Sequence, residues 1–229
     1  MAAEDRLKIP ISKRALDLAL CSIALALLSP LFLIVALLIK LSSPGPVFYK
    51  ARRAGYKGRP FSAFKFRSMH LGSDRHGAIT AQNDPRVFAV GRLLRTFKID
   101  ELPQLWNILR GEMSIVGPRP EDVEIAATCY TPRQRKVLEA APGLTGIPQV
   151  RFFPDLGAVD TEGMDPQEHY RQVVLPLRLE LDLEYVRRQS FLSDLYLIAA
   201  TVFLIVFKSV YVAFAGTRTI RLEELRSGR

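Results

Sequence analysis

The chain has 229 residues, 48% of them hydrophobic, and carries a formal net charge of +9 at pH 7. This composition excludes an intrinsically disordered chain and leaves room for one globular domain in addition to a membrane segment. The excess of positive charge predicts anionic partners, which could be nucleic acid, an anionic membrane surface or phosphorylated substrates.

An apolar stretch near the N-terminus predicts how the chain meets a membrane. Residues 18–39 contain no charged side chain, and a straight helix of this length would be about 33 Å long, enough to cross a bilayer. Pro30 has no N–H for the carbonyl of Ala26, so we expect a break at Ser29 and Pro30, with the Ser29 hydroxyl available to the freed carbonyl. Each arm would then be about 15 Å long and enter one leaflet.

Basic residues flank this stretch on both sides. They are Arg6, Lys8, Lys13 and Arg14 before it and Lys40, Lys50, Arg52 and Arg53 after it. A helix that spans the membrane should show this bias on its cytoplasmic side only. We therefore predict a re-entrant helix-break-helix with both ends on one face, and a proline-kinked transmembrane helix is the alternative. Membrane lipid and phosphorylated substrates are the expected anionic partners, and nucleic acid is not.

The remaining sequence predicts an α+β fold. The segment from Ser42 to Pro46 ends the membrane helix, which gives an N-terminal membrane segment (1–46), a globular domain (47–215) and a basic tail (216–229). Short aromatic-rich runs at 47–52 and 61–67, separated by two glycines, predict a β-hairpin. Apolar spacing predicts an amphipathic helix over 177–188. The final apolar run, 195–207, is expected to pack on the domain or lie at the membrane interface, with a span as the alternative.

Capping signals predict three further helices. Asp84 followed by proline predicts a helix start, Asp100 is expected to cap a helix that ends at Gly111, and Thr131 with Gln134 has the form of a capping box. Residues 142–146 predict a turn, and residues 149–153 a strand.

The chemistry is expected around Asp100 and Glu101. At a helix N-terminus a carboxylate is stabilised in its ionised form, which suits nucleophilic attack or metal binding. Phosphate-suited cations occur nearby in the sequence: Lys65 and Arg67 on one face of a strand, Arg92 and Arg95 on a helix, and Arg119 between two prolines. The alternative is that Asp100 is only a helix cap and that the basic residues serve solubility or lipid attraction.

Four motifs carry a resemblance to a known family. They are Lys65-Phe66-Arg67-Ser68-Met69, Asp100-Glu101-Leu102-Pro103-Gln104-Leu105, Met113-Ser114-Ile115-Val116-Gly117-Pro118-Arg119-Pro120 and Pro142-Gly143-Leu144-Thr145-Gly146. In this order, behind an apolar helix with a Ser-Pro pair, they closely resemble the bacterial sugar transferase family, the monotopic phosphoglycosyl transferases. The resemblance covers about residues 13–201.

The resemblance implies an enzyme on the cytoplasmic face of the bacterial inner membrane. It would transfer a sugar-1-phosphate from a UDP-sugar to polyprenyl (undecaprenyl) phosphate, release UMP and start the assembly of a surface glycan. Asp100 would be the nucleophile that forms a phosphosugar-aspartyl intermediate. Glu101 would orient Asp100 and Mg²⁺ or handle protons, and both carboxylates are candidate Mg²⁺ ligands. Lys65, Arg67, Arg92, Arg95 and Arg119 are the candidate phosphate-binding residues.

Two other functional classes fit parts of the sequence. A non-catalytic membrane adaptor would use the basic surface to bind anionic or polyprenyl lipid, and a hydrolase would attack UDP-sugars with water. The motifs do not single out one sugar, one glycan pathway or an oligomeric state.

Overall fold

The structure, a computed structural model, describes residue 7 and residues 9–73, 84–151 and 165–215, with side chains as far as residue 207. The predicted basic tail, most of the acidic loop that precedes Asp165, and the predicted flanking charges Arg6 and Lys8 lie outside this part of the chain. The described elements are helices and two small sheets, which confirms the α+β class.

The helices and strands follow one another in this order: α1 (Ile11–Ser42), β1 (Phe48–Ala54), β2 (Pro60–Phe66), α2 (Ala89–Thr96), α3 (Gln104–Leu109), β3 (Ser114–Val116), α4 (Val123–Cys129), β4 (Gly143–Thr145), α5 (Ile147–Arg151), α6 (Pro166–His169), α7 (Leu175–Arg188) and α8 (Phe191–Ala215). Short 3₁₀ helices connect some of these elements at Tyr56–Gly58, Ile99–Glu101 and Gln134–Glu139, and a π-helical turn, Tyr170–Val174, joins α6 to α7.

Helix α1 contains the predicted apolar stretch. Within the described residues it is the one helix long and apolar enough to cross a bilayer. The helix continues through Ser29 and Pro30, so the structure does not show the predicted interruption into two separate helices. The hydroxyl of Ser29 donates to the carbonyl of Ala26 at 2.8 Å, which confirms that it binds the carbonyl freed by Pro30.

Both halves of α1 pack against the globular domain. The contacting positions recur every three or four residues along one face: Cys21, Ala24, Leu25, Leu28, Leu31, Phe32, Val35 and Ile39. The first half meets Leu105 and Ile108 of α3, and the second half meets Phe66 of β2 and Leu94 of α2. The opposite face of α1 exposes large apolar side chains, including Leu27, Leu33 and Leu41.

The N-terminal end of α1 is held by charged side chains. Lys13 is buried and donates to Asp194 Oδ2 at 2.6 Å and to the carbonyl of Val116 at 2.9 Å. Arg14 donates to the carbonyls of Ile108 and Leu109 at the end of α3. These two cations are therefore engaged by the globular domain, whereas their predicted position beside the membrane stays a prediction. The positive charge of Lys13 can stay buried because a carboxylate and a carbonyl oxygen compensate the loss of its hydration.

The C-terminal end of α1 is held by Arg67. Its guanidinium donates to the hydroxyl and the carbonyl of Ser43, at 2.8 and 2.7 Å, and to the carbonyl of Pro46 at 2.6 Å. Ser43 follows the last residue of α1, so Arg67 satisfies carbonyl groups that a helix end leaves without partners. Each end of α1 is thus attached to the same globular domain.

The two sheets differ in how well the sequence predicted them. Strands β1 and β2 pair antiparallel across the turn at Tyr56–Gly58, with Tyr49 opposite Lys65, which confirms the hairpin. The predicted turn at 142–146 is wrong because β4 pairs in parallel with β3 there. A Cβ on Gly143 would lie 2.1 Å from the nitrogen of Gly117, so only glycine allows this close approach of the two segments.

Several helix starts differ from the predictions. Helix α2 begins at Ala89 because Asp84 accepts the N–H of Arg86 in a local turn and Val87 forms a bridge with Met69. Thr131 and Gln134 exchange capping-box hydrogen bonds as predicted, but they open a 3₁₀ helix. Residues 149–151 are helical and belong to α5, so the predicted strand is wrong in its described part. Helix α7 confirms the predicted amphipathic helix.

Helix α8 includes the final apolar run. Leu197 is buried against the domain, and the hydroxyl of Thr201 lies 2.6 Å from that of Thr145 on β4. Its other face exposes large apolar side chains at helical spacing: Leu192, Leu195, Tyr196, Val202, Phe203, Val206 and Phe207. The predicted packing on the domain is confirmed. The exposed faces of α1 and α8 are each apolar, as is typical of surfaces that contact membrane.

Candidate active site

Asp100 and Glu101 lie in the 3₁₀ turn between α2 and α3, and both are buried. The turn follows Lys98, whose backbone is left-handed with φ 58°. The side chain of Asp100 makes no capping hydrogen bond, so the prediction that it caps a helix is wrong. Helix α3 starts only at Gln104, after Pro103, and ends before Gly111, whose φ of +76° confirms the predicted stop.

Glu101 is held by two cations from different segments. Lys65 of β2 lies 2.8 Å from its Oε1, and Arg119 donates to Oε1 at 2.5 Å and to Oε2 at 3.1 Å. Burial alone would raise the pKa of Glu101, but the charges of Arg119 and Lys65 outweigh burial and hold that pKa well below its ordinary value. The structure therefore brings Lys65 and Arg119 to the acidic pair, with Glu101 ionised and fixed.

Asp100 differs from its neighbour. Within the described part of the chain its carboxylate makes no hydrogen bond and no ion pair. Burial, together with the negative charge of Glu101, raises the pKa of Asp100, while the charges of Lys65, Arg95 and Lys98 oppose that rise. One buried carboxylate is thus tied down, and the adjacent one is left free to react or to bind a ligand.

The predicted phosphate-binding residues do not all reach this pair. Arg95 is close enough for its charge to act on Asp100, whereas Arg92 is exposed on α2. Among the described residues, the hydrogen bonds of the Arg67 guanidinium all go to Ser43 and Pro46 at the end of α1. Arg67 therefore has a structural role in this fold, because its guanidinium is already satisfied by the chain.

Lys98 was missed by the sequence reasoning. Its charge acts on both carboxylates of the pair. Its position two residues before Asp100 was the one signal in the sequence that could have identified it. A single lysine between two predicted helices, however, has the same appearance in the sequence as an ordinary surface lysine.

A second set of buried charges supports the segment that carries Arg119. Glu121 forms an ion pair with Arg178 of α7 at 2.7 Å, and the hydroxyl of Tyr170 donates to the same carboxylate. Although burial opposes it, the positive charge of Arg178 helps lower the pKa of Glu121 to about 2. Asp182, also on α7, lies 3.8 Å from the guanidinium of Arg178, and burial raises its pKa to about 7. Glu121 stands two residues after Arg119, so its ion pair with Arg178 attaches this segment to α7.

Of the two carboxylates, Asp100 is the one suited to bind a magnesium ion. Within the described ranges no group of three or more His, Cys, Asp or Glu side chains is positioned to hold a metal. Mg²⁺ commonly binds one or two carboxylates and completes its coordination with substrate phosphates and water. The buried, unpaired carboxylate of Asp100 beside Glu101 fits that requirement, and Lys65 and Arg119 already occupy both oxygens of Glu101.

The buried network around Arg178 generates a stability prediction. Replacing Arg178 with Met leaves Glu121 and Asp182 without their buried cation, and we expect a loss of about 3–5 kcal/mol. As a comparison, replacing Arg133 with Met removes its exposed ion pair with Glu180, which lies on α7 like Arg178. This change should cost no more than about 0.5 kcal/mol. Unfolding of the purified variants in detergent measures both, and equal effects would contradict the structural role of Arg178.

Comparison with known proteins places the chain in a family. The bacterial sugar transferase family model matches residues 9–208. A UDP-glucose:undecaprenyl-phosphate glucose-1-phosphate transferase from Caulobacter vibrioides is 40% identical over 200 residues, which cover 86% of this chain and 70% of the relative. The protein of the same name from Escherichia coli is 39% identical, over 83% of this chain and 39% of its own length.

A third relative is similar in size to this chain. The exopolysaccharide production protein ExoY from Sinorhizobium fredii is 38% identical over 84% of this chain and 84% of its own length. The family match extends from the start of α1 into α8 and includes the carboxylate pair and both of its cations. The chain therefore belongs to the bacterial sugar transferase family and is an enzyme of the phosphoglycosyl transferase class.

Proposed function

We propose that this enzyme transfers a sugar-1-phosphate from a UDP-sugar to undecaprenyl phosphate or a similar polyprenyl phosphate. The relatives from Caulobacter vibrioides and Escherichia coli, whose names state this reaction with glucose, support the donor and acceptor classes. The observation that carries the proposal is the pair itself, in which Glu101 is held by Lys65 and Arg119 while Asp100 is free.

The proposed reaction has two steps with Asp100 as nucleophile. In the first, a carboxylate oxygen of Asp100 forms a bond to the β-phosphorus of the donor, and the bond from that phosphorus to the bridging oxygen breaks, which releases UMP. In the second, a phosphate oxygen of the lipid attacks the same phosphorus and the bond to Asp100 breaks. The product is a polyprenyl diphosphate sugar, and the carboxylate is regenerated. Covalent catalysis of this kind divides one difficult step into two easier ones.

The surrounding charges suit such a reaction. Lys65 and Arg119 compensate Glu101, so its charge does not repel the donor as strongly as an isolated carboxylate would. Arg95 and Lys98 add positive charge beside Asp100, and Glu101 does not neutralise this charge through an ion pair. An anionic diphosphate is attracted to this excess, and fixed cations stabilise the charge that develops on the leaving UMP.

We propose Mg²⁺ as the cofactor, which Asp100 would hold together with phosphate oxygens of the donor, because Lys65 and Arg119 already occupy both oxygens of Glu101. When bound, Mg²⁺ neutralises negative charge on the diphosphate and on the leaving group. Support comes from the free carboxylate of Asp100, which has a second oxygen available besides the one that attacks.

We propose that α1 enters one leaflet and that both of its ends lie on the cytoplasmic face of the inner membrane. A straight helix from Ile11 to Ser42 would be about 48 Å long and would carry its two ends to opposite sides of a bilayer. Lys13 at one end and Ser43 at the other instead contact the same domain. Pro30 removes one helical hydrogen bond, which permits a bend at the midpoint.

The enzyme hypothesis is tested with Asp100→Asn. We expect the purified wild type, with Mg²⁺ and polyprenyl phosphate, to release UMP from at least one UDP-sugar of a panel, and the variant to lose this activity by about 10³-fold or more because an amide is a poor nucleophile. Asp165→Asn is the matched control, since Asp165 is an exposed helix cap and asparagine caps equally well.

Each alternative gives a different result in this assay. Normal turnover by Asp100→Asn would contradict the proposed nucleophile. A wild type that never releases UMP would support the membrane adaptor, and steady release of UMP without lipid acceptor would support the hydrolase.

The membrane topology is tested by labelling single cysteines. Ser12→Cys and Ser42→Cys, each in a Cys129→Ser background, place an exposed thiol near each end of α1, whereas Cys21 is buried. We expect an impermeant thiol reagent to label both positions in inverted membrane vesicles and neither in spheroplasts. Labelling of the two positions from opposite sides would show that α1 spans the membrane.

A further inference from the structure

Lys98 has an unusual backbone conformation. Among the described residues other than glycine, only Lys57 and Lys98 have positive φ, at 55° and 58°. A left-handed conformation is strained for a residue that has a Cβ, and glycine avoids this strain. Such strain occurs preferentially at functional sites, and Lys98 stands two residues before Asp100.

The backbone role of Lys98 does not require its ammonium group. Its N–H donates to the carbonyl of Arg95, and its carbonyl accepts the N–H of Glu101, each at 3.2 Å. These two bonds join α2 to the turn that holds the carboxylate pair. Glycine or asparagine could make both of them with less strain. The side chain of Lys98 is therefore not explained by the turn.

The side chain of Lys98 is half-buried and uncommitted. Within the described residues its ammonium makes no hydrogen bond, ion pair or ring contact. Lys65 and Arg119, in contrast, are engaged by Glu101. The charge of Lys98 nevertheless acts on both Asp100 and Glu101, so the ammonium lies within electrostatic reach of the pair. A free, partly desolvated cation beside a nucleophile is suited to an anionic substrate group.

We propose that Lys98 binds a phosphate group of the substrate next to Asp100. The proposal rests on the proposed function, which brings two phosphate sources to this place: the diphosphate of the nucleotide sugar and the phosphate of the lipid acceptor. Lys98 acts through direct contact with phosphate oxygens, whereas Lys65 and Arg119 act through Glu101.

The test compares three variants with the wild type. Lys98→Asn removes the charge and keeps a residue that tolerates the left-handed backbone. Lys98→Arg keeps the charge. Lys57→Asn is the matched control, because it makes the same change at the other left-handed lysine, which is exposed in the turn of the β-hairpin. Thermal unfolding in detergent should show that Lys98→Asn is no less stable than the wild type.

The readout is the KM for each substrate. We expect Lys98→Asn to raise one KM by about tenfold or more, Lys98→Arg to change it by less than about threefold, and Lys57→Asn to leave it unchanged. A higher KM for the UDP-sugar identifies the donor as the source of the phosphate, and a higher KM for the polyprenyl phosphate identifies the acceptor. A loss of kcat with both KM values unchanged, or an equal effect of Lys57→Asn, would overturn the proposal.

Binding of UDP separates this proposal from the proposed function. A wild type that binds UDP but transfers no sugar phosphate would contradict the function, and weaker binding by Lys98→Asn would still support the phosphate contact. Equal binding of UDP by both proteins, together with an unchanged KM for the lipid, would contradict the phosphate contact in an otherwise active enzyme.

Discussion

The buried ion pairs between Glu101 and the cations Lys65 and Arg119 join three separate parts of the fold. They connect strand β2, the turn after α2 and the segment after β3, so that these elements share one polar centre inside the domain. The two cations compensate the buried charge of Glu101, and removal of either one would leave this carboxylate with a single cationic partner. Because Glu101 takes up these contacts, Asp100 stays free at a defined place.

The same domain also holds the apolar helix α1 at both ends. Lys13 and Arg14 hold the beginning of α1, and Arg67 holds its end. These polar contacts lie between α1 and the domain, whereas the apolar faces of α1 and α8 are exposed. In the proposed arrangement, such a domain would keep the carboxylate of Asp100 at a fixed distance from the membrane surface, where the phosphate of the proposed lipid acceptor would lie. Positioning of this kind lowers the entropy cost of bringing two substrates together.

Local patterns predicted much of this fold, and contacts between distant residues account for most of what they missed. The alternating pattern of side chains predicted the β-hairpin, and the capping-box pattern predicted the hydrogen bonds between Thr131 and Gln134. The partners of Lys13 and Arg67 could not be read from the chain because each side chain reaches another element. The pairing of β3 with β4 joins segments almost thirty residues apart, and a short parallel pair has no turn signal. The acidic pair was found from its motif, but the motif could not show that only Asp100 is free.

The most direct measurement of the central claim is the mass of the Asp100 peptide after exposure to donor. Wild-type enzyme incubated with Mg²⁺ and the active UDP-sugar, quenched before acceptor is added, should carry one added sugar phosphate on Asp100, and polyprenyl phosphate should remove it. Turnover without any adduct at Asp100, or an adduct on another residue of the site, would contradict the account.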